Sequence, residues 1–134
     1  AKNLNRRLTA EERKEERLGS IIEWQNRWDL ATKGRWTHKL IRSVQAWVER
    51  GHGDTDYYLT QFLTGHGCYR EYLQRLGHED AADCSFCGNG SENVEHVFFS
   101  CPRYASERMC IEEIIKEKIT PGNIVNHMLQ SKLV

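Results

Sequence analysis

Four residues of this chain have the types and spacing of a metal site. They are Cys84, Cys87, His96 and Cys101, in the pattern C-x2-C-x8-H-x4-C. Three thiolates and an imidazole suit zinc, and four such ligands close a tetrahedral shell. The two-residue gap lets Cys84 and Cys87 grip one ion from a tight turn, and Gly88, Asn89 and Gly90 supply backbone positions that let such a turn reverse. His96 and Cys101 are five apart, well over a quarter turn out of line on an ideal helix, so the chain must loosen between them; Pro102 marks the place. A catalytic zinc keeps one position for water on three protein ligands, whereas four are at hand here, so the ion reads as structural. Zinc deaminases also join a C-x2-C pair to a histidine, but there the histidine comes first, in H-x-E. The competing reading is a set of buried free thiols or disulfides. Five cysteines is an odd number, no secretory signal precedes them, and a C-x2-C pair is too close for comfortable bridging, so a reducing, intracellular setting fits better. His78 is kept as a substitute ligand, while His66 reads as a turn residue and Cys68 as a small core hydrophobe.

The elements that position these residues read as helices. Thr9 with Glu12 forms a capping box that opens a helix at Ala10, and Leu18, Ile21, Ile22, Gln25 and Trp28 give it one apolar stripe as far as about Thr32, with Gly34 ending it. Its early part, Glu11 to Arg17, is nearly all charge and reads as a solvated arm. Trp36, Leu40, Val44, Trp47 and Val48 define a second, strongly amphipathic helix closed by Gly51, with Arg35, Lys39, Arg42 and Arg50 on the opposite face. The four tryptophans, Trp24, Trp28, Trp36 and Trp47, read as core. Leu59, Phe62 and Leu63 predict a short helix after an Asp56 cap; Tyr69, Tyr72, Leu73 and Leu76 predict another, stopped by Gly77. Val94 to Ser100 is read as helix because His96 has to face the ion while its neighbours pack inward. Tyr104, Ile111, Ile115 and Ile119 mark a further helix, and Thr120-Pro121 opens a last one through Ile124, Val125, Met128 and Leu129. No strand alternation or repeat appears. The expected fold is mainly α: a small helical domain with a Cys3His zinc-stapled lobe, divided into residues 1–80, with the basic N-terminal helices, and residues 81–134, with the metal lobe and the C-terminal helices.

At 134 residues the chain is one compact domain or a small core with a metal-stapled lobe, too short for a polymerase. No run of apolar residues is long enough for a membrane span. The chain begins at Ala1, which reads as a piece of something longer or a processed product. Net charge is zero, but residues 1–50 hold twelve Lys and Arg against seven Asp and Glu, and residues 51–134 hold seven against twelve. That asymmetry points to an anionic partner for the first part, or to attraction between the halves.

Three blocks then fall in a familiar order. Trp28-Asp29 through Lys33-Gly34-Arg35-Trp36-Thr37 is followed by Tyr58-Leu59-Thr60-Gln61-Phe62-Leu63-Thr64-Gly65-His66-Gly67, and then by the Cys84-to-Arg103 segment with its Glu95-His96-Val97-Phe98-Phe99 run. Together they resemble the region downstream of the polymerase in reverse transcriptases of insect non-LTR (LINE-like) retrotransposons. The similarity runs over roughly residues 20–108. It implies a C-terminal cysteine-rich CCHC module of a reverse transcriptase polyprotein, one zinc ion on Cys84, Cys87, His96 and Cys101, and a role in holding template RNA or target DNA during target-primed reverse transcription. The gap between Cys87 and His96 is longer than in a retroviral nucleocapsid knuckle, so base stacking in the style of that knuckle does not carry over as such. Related sequences often place proline after the Leu-Ile pair where this chain has Arg42, which is expected to lengthen the basic helix.

Polymerisation chemistry is not encoded in this stretch. Two-metal nucleotidyl transfer needs clustered carboxylates, whereas Asp54 and Asp56 sit in a loop before a helix, and Glu79, Asp80 and Asp83 flank the first cysteine with no strand to aim them. No catalytic residue is assigned, and an endonuclease is likewise unsupported. The expected partners are RNA or DNA, weakly sequence-specific, met by Lys33, Arg35, Lys39 and Arg42 with the Arg6-to-Arg17 arm (Arg13, Lys14, Arg17), and the polymerase core of the same polyprotein; no membrane is expected. The expected location is nucleus and cytoplasm. The rival reading, supported by the neutral net charge, is a protein-interaction or scaffold module, docked on that polymerase or standing alone, with purely structural zinc.

Overall fold

The computed structural model describes residues 7–132; Arg6, at the start of the basic arm, lies outside them. Thr9 opens the first helix by the expected box, its hydroxyl accepting from the Glu12 N–H at 3.2 Å while the Glu12 carboxylate accepts from the Thr9 N–H at 2.7 Å. Helix α1 (Ala10–Leu30) then buries Ile21 and lies against helix α3 (Val44–Val48). Of the rest of its expected stripe, Gln25 and Trp28 are partly buried while Leu18 and Ile22 are about half exposed, as is Trp24. A long helix laid against a five-residue one has more apolar face than its partner can cover.

The expected second helix is broken in two. Helix α2 (Arg35–Leu40) starts at Gly34, whose φ of 67° is left-handed, and stops at Ile41; α3 begins afresh after Ser43, whose hydroxyl accepts from the Ala46 N–H. Periodicity predicted continuity, but side chains of α1 capture the intervening backbone. Trp28 Nε1 donates to the Ile41 carbonyl at 2.8 Å, Gln25 Nε2 to the Arg42 carbonyl at 2.8 Å, and Gln25 Oε1 accepts from the Val44 N–H at 2.8 Å. These bonds satisfy groups that a helix would otherwise have paired. Arg42 therefore does not lengthen α2, and Gly51 does not close α3, which is capped at Glu49.

Asp56 caps helix α4 (Tyr57–Thr64) by accepting from the Leu59 N–H at 2.7 Å. Gly65 ends it at φ 69°, where a Cβ would come within 3.2 Å of the Trp36 and Val94 side chains, so both the turn and the packing require glycine. Helix α5 (Arg70–Arg75) follows. Irregular chain with one isolated antiparallel bridge, Asp83 to Ser91, then leads to a wide π-turn (His96–Ser100), a 3-10 turn (Pro102–Tyr104) and helix α6 (Ala105–Ile115). Helix α7 (Ile124–Gln130) begins later than Thr120-Pro121 predicted. Asn123 claims those residues for a turn, accepting from the Thr120 N–H at 2.8 Å and donating to the Lys118 carbonyl at 2.9 Å. No strand occurs among the described residues, and none of their helices is long and apolar enough to cross a membrane.

The core joins Leu40 and Ile41 to Phe62 and Leu63 of α4, to Tyr69, to Val94 and Val97, and to Ile119, Ile124 and Val125. Trp36 is its half-buried rim, edge-on to Phe62 with its Nε1 donating to the Phe62 carbonyl at 2.7 Å. Trp28 and Trp47 are also partly buried, whereas Trp24 is not core. Cys68, expected inside, is exposed as well.

Candidate metal centre

The ligand atoms of Cys84, Cys87, His96 and Cys101 lie within 4.8 Å of one another. Cys84 Sγ is 3.8 Å from Cys101 Sγ, and Cys87 Sγ is 3.3 Å from His96 Nε2. Ligands at zinc bond lengths in a tetrahedron stand about 3.8 Å apart for two sulfurs and about 3.5 Å for sulfur and nitrogen. The donor set and its spacing fit a metal ion. All five cysteines are free thiols, so the disulfide alternative is not adopted. Cys84 and Cys101 are buried, Cys87 and His96 half-buried, and neither His78 nor Cys68 belongs to the group.

Each ligand is held by local structure. The Cys84 N–H donates to the Gly90 carbonyl and the Gly88 N–H to the Cys84 carbonyl, closing a loop in which Gly88 and Gly90 have φ of 65° and 88°. The Asn89 N–H points at Cys87 Sγ from 3.4 Å. Asn93 starts the histidine turn: its Oδ1 accepts from the His96 N–H at 2.9 Å and its carbonyl from the Val97 N–H. The Cys101 N–H then donates to the His96 carbonyl at 2.7 Å, a bond across five residues. That π-turn is the loosening the spacing demanded, because it puts residues five apart one above the other where an α-helix would separate them by about 140°.

The backbone N–H of Cys87, with smaller help from that of Phe86, pulls the Cys84 thiol down to about 6 against the opposition of burial. The Asn89 N–H lowers the Cys87 thiol, but desolvation and the crowding of the Cys84 and Cys101 sulfurs raise it overall. The turn thus favours ionisation of Cys84 over Cys87, and a bound cation would favour the thiolate form of the remaining cysteines as well.

Two supporting residues escaped the sequence reading. Glu92 is 7% exposed, and its Oε2 accepts from the Ser85 N–H at 3.2 Å and the Ser85 hydroxyl at 3.3 Å, bracing the turn between the first two cysteines. Nothing in its local pattern sets it apart from other surface acids. Asn93 was legible, since Asn three residues ahead of the histidine is a cap signal.

The break after α2 separates Arg42 from the other expected phosphate-binding residues. Arg35 donates to the carbonyls of Trp28, Asp29 and Ala31 at the end of α1, the shortest at 2.6 Å. Lys39 pairs with Glu95, next to the histidine ligand, at 2.7 Å. Lys33 and Arg42 are exposed beyond the two ends of α2, and Arg13, Lys14 and Arg17 are exposed on α1 among glutamates. They do not form one face of one helix.

No family model matches the chain, and no solved structure gives a significant match. Curated relatives do. The chain is 36% identical over 85 residues to the retrovirus-related Pol polyprotein from type-1 retrotransposable element R1 2 of Nasonia vitripennis, covering 63% of this chain and 20% of that protein. It is 38% identical over 85 residues to the corresponding R1 polyprotein of Bradysia coprophila, covering 63% and 8%, and 37% identical over 86 residues to that of element R1 4 of Nasonia vitripennis, covering 63% and 22%. The matched stretch is thus about a fifth or less of these relatives' length. By sequence, and with a Cys3His group fit for a metal, the chain is homologous to one stretch of the Pol polyproteins of R1 retrotransposable elements.

Proposed function

We propose that the chain is a zinc-stabilised nucleic-acid-binding module that helps a retrotransposon reverse transcriptase hold template RNA or target DNA during target-primed reverse transcription. The observation that carries this reading is a Cys3His donor group in a chain whose relatives are Pol polyproteins of retrotransposable elements. Zinc is the ion proposed because three thiolates and an imidazole at tetrahedral spacing are its usual donors. Four protein ligands close its shell, so its work is to fix the fold. In this reading residues 1–80 carry the basic elements and residues 81–134 the metal lobe. Phosphate contacts fall to the exposed Lys33, Arg42, Arg13, Lys14 and Arg17, while Arg35 and Lys39 hold α1 and the histidine turn in place. The longer protein is read as an RNA-directed DNA polymerase of nucleus and cytoplasm, and no catalytic role is assigned to this segment.

The test is a salt series of binding to single-stranded RNA, structured RNA and duplex DNA by metal-loaded protein of measured zinc content. The expected result is one zinc per chain and an affinity that falls with salt by a log–log slope of about 0.7 to 0.9 per phosphate contact. Charge reversal at Lys33 and Arg42 should weaken every ligand alike. No binding at low salt defeats the proposal.

A second reading, docking on the polymerase core of the same polyprotein, draws on one observation. Helix α1 exposes Leu18 at 48%, Ile22 at 54% and Leu30 at 83%, apolar side chains toward one side of the helix that a docked partner would cover. Protection of α1 from hydrogen exchange on adding the polymerase region, with no nucleic-acid affinity of its own, would favour it.

A further inference from the structure

Phe86 stands in the gap between Cys84 and Cys87 with 56% of its surface exposed. A ring held out on the tightest turn of the metal group is not filling a core. The Arg103 guanidinium lies 5.3 Å from the Phe86 ring centre and 5.9 Å from that of Tyr104, itself 40% exposed. Arg103 and Tyr104 belong to the 3-10 turn that follows Cys101 directly. An aromatic ring, a planar cation and a second aromatic ring are therefore brought together by the two ends of the metal-binding segment, although 17 residues of sequence separate Phe86 from Arg103.

We infer that Phe86, Arg103 and Tyr104 form a stacking platform for the unpaired bases of a single-stranded nucleic acid. The inference rests on the proposed function and names its ligand class and contact points. Unpaired bases expose flat faces that stack on aromatic rings and on guanidinium planes, while in a duplex those faces are covered by neighbouring pairs. Arginine suits the central place because it stacks in plane and still offers N–H donors to phosphate. The aromatic and basic residues flank the ligands, so the same ion that folds the turn sets the spacing of the platform.

The experiment uses the full metal-loaded chain, a short fluorescent uridine-rich RNA strand as probe and a blunt duplex of equal length as competitor. Phe86→Leu keeps an apolar side chain without the ring, Phe86→Tyr keeps the ring, and Arg103→Lys keeps the charge without the plane. Phe86→Leu is expected to weaken single-strand binding about tenfold, the stacking worth of one base. Phe86→Tyr should bind like the parent, Arg103→Lys should bind several-fold more weakly, and zinc content should be unchanged throughout. If Phe86→Leu and Arg103→Lys bind as the parent does while charge reversal at Lys33 and Arg42 weakens binding, the platform is overturned and the general nucleic-acid reading survives. A duplex that competes as well as the single strand also overturns the platform. If the parent binds neither ligand, both readings fall. Should Phe86→Leu lose zinc, Tyr104→Leu with Arg103→Lys decides on the same criteria.

Discussion

The segment from Cys84 to Cys101 and helix α1 are held in place by opposite means. The first is irregular for most of its length and brings four ligand atoms within 4.8 Å of one another, using two left-handed glycines, a capped turn and a buried glutamate. The second is the longest helix in the structure, yet Ile21 is its buried residue and much of its apolar surface meets solvent. Regular backbone hydrogen bonding therefore does not measure how firmly a region is anchored. In a small domain, cross-links that pull distant backbone together can do what a large core does elsewhere.

The sharpest way to break that comparison is to remove the ion. Chelation of the zinc-loaded protein, or Cys101→Ser, is expected to abolish the cooperative structure of the metal segment, because metal binding to such sites contributes on the order of 10 kcal/mol to folding. Circular dichroism melting with zinc quantified in parallel reads the effect, and a melting curve indifferent to chelation would sink the metal reading. Next in size is the core, which takes Val94 and Val97 from the metal segment. Phe62→Ala should cost about 3 to 5 kcal/mol in denaturant unfolding, whereas Ile22→Ala on the open side of α1 should stay within about 0.5 kcal/mol. A large effect at Ile22 would mean that α1 is covered in solution.

Glu92→Gln tests the brace behind the cysteine turn. It keeps the shape but weakens the bonds to Ser85, so competition against a chelator should show zinc affinity lower by at least about tenfold. Thr9→Ala removes half of the capping box and should destabilise α1 by about 1 kcal/mol, seen as faster amide exchange confined to its first turns. Smallest is the junction of α1 and α2. His38 Nε2 lies 2.8 Å from Asp29 Oδ1, and that bond, with a lesser one from Gln25, holds the Asp29 carboxyl below the usual carboxylate range. A carboxyl depressed on folding adds stability above its ordinary value and loses it as pH falls through the lowered one. His38→Ala should therefore move the Asp29 titration upward in an NMR series without changing stability at neutral pH by a large amount.

Much of the molecule is legible in residue types. The capping box at Thr9, the Asp56 cap, the helical class of the fold and the membership of the metal group all follow from local chemistry that needs no distant partner. The need for a loosened helix between His96 and Cys101 was equally readable, because five residues are not a whole number of α-helical turns. The expected helix through Arg42 and Val44 was not there for a reason outside its own sequence. Gln25 and Trp28 reach across from α1 and bond the backbone of Ile41, Arg42 and Val44, and that long-range satisfaction outweighs helical propensity. The same break takes Arg42 off the face that Arg35 and Lys39, four apart in α2, still share.

What the sequence alone determined is the set of donors and their order along the chain, since thiolates, imidazole and tight-turn glycines carry their chemistry wherever they are placed. What only the tertiary structure decided is which polar groups the chain itself consumes: Arg35 at the end of α1, Lys39 on Glu95, and Glu92 beneath the cysteine turn. It also decided that Phe86 and Arg103 meet. Such pairings depend on where separate elements come to rest, and the free energy that selects them is shared across the whole core.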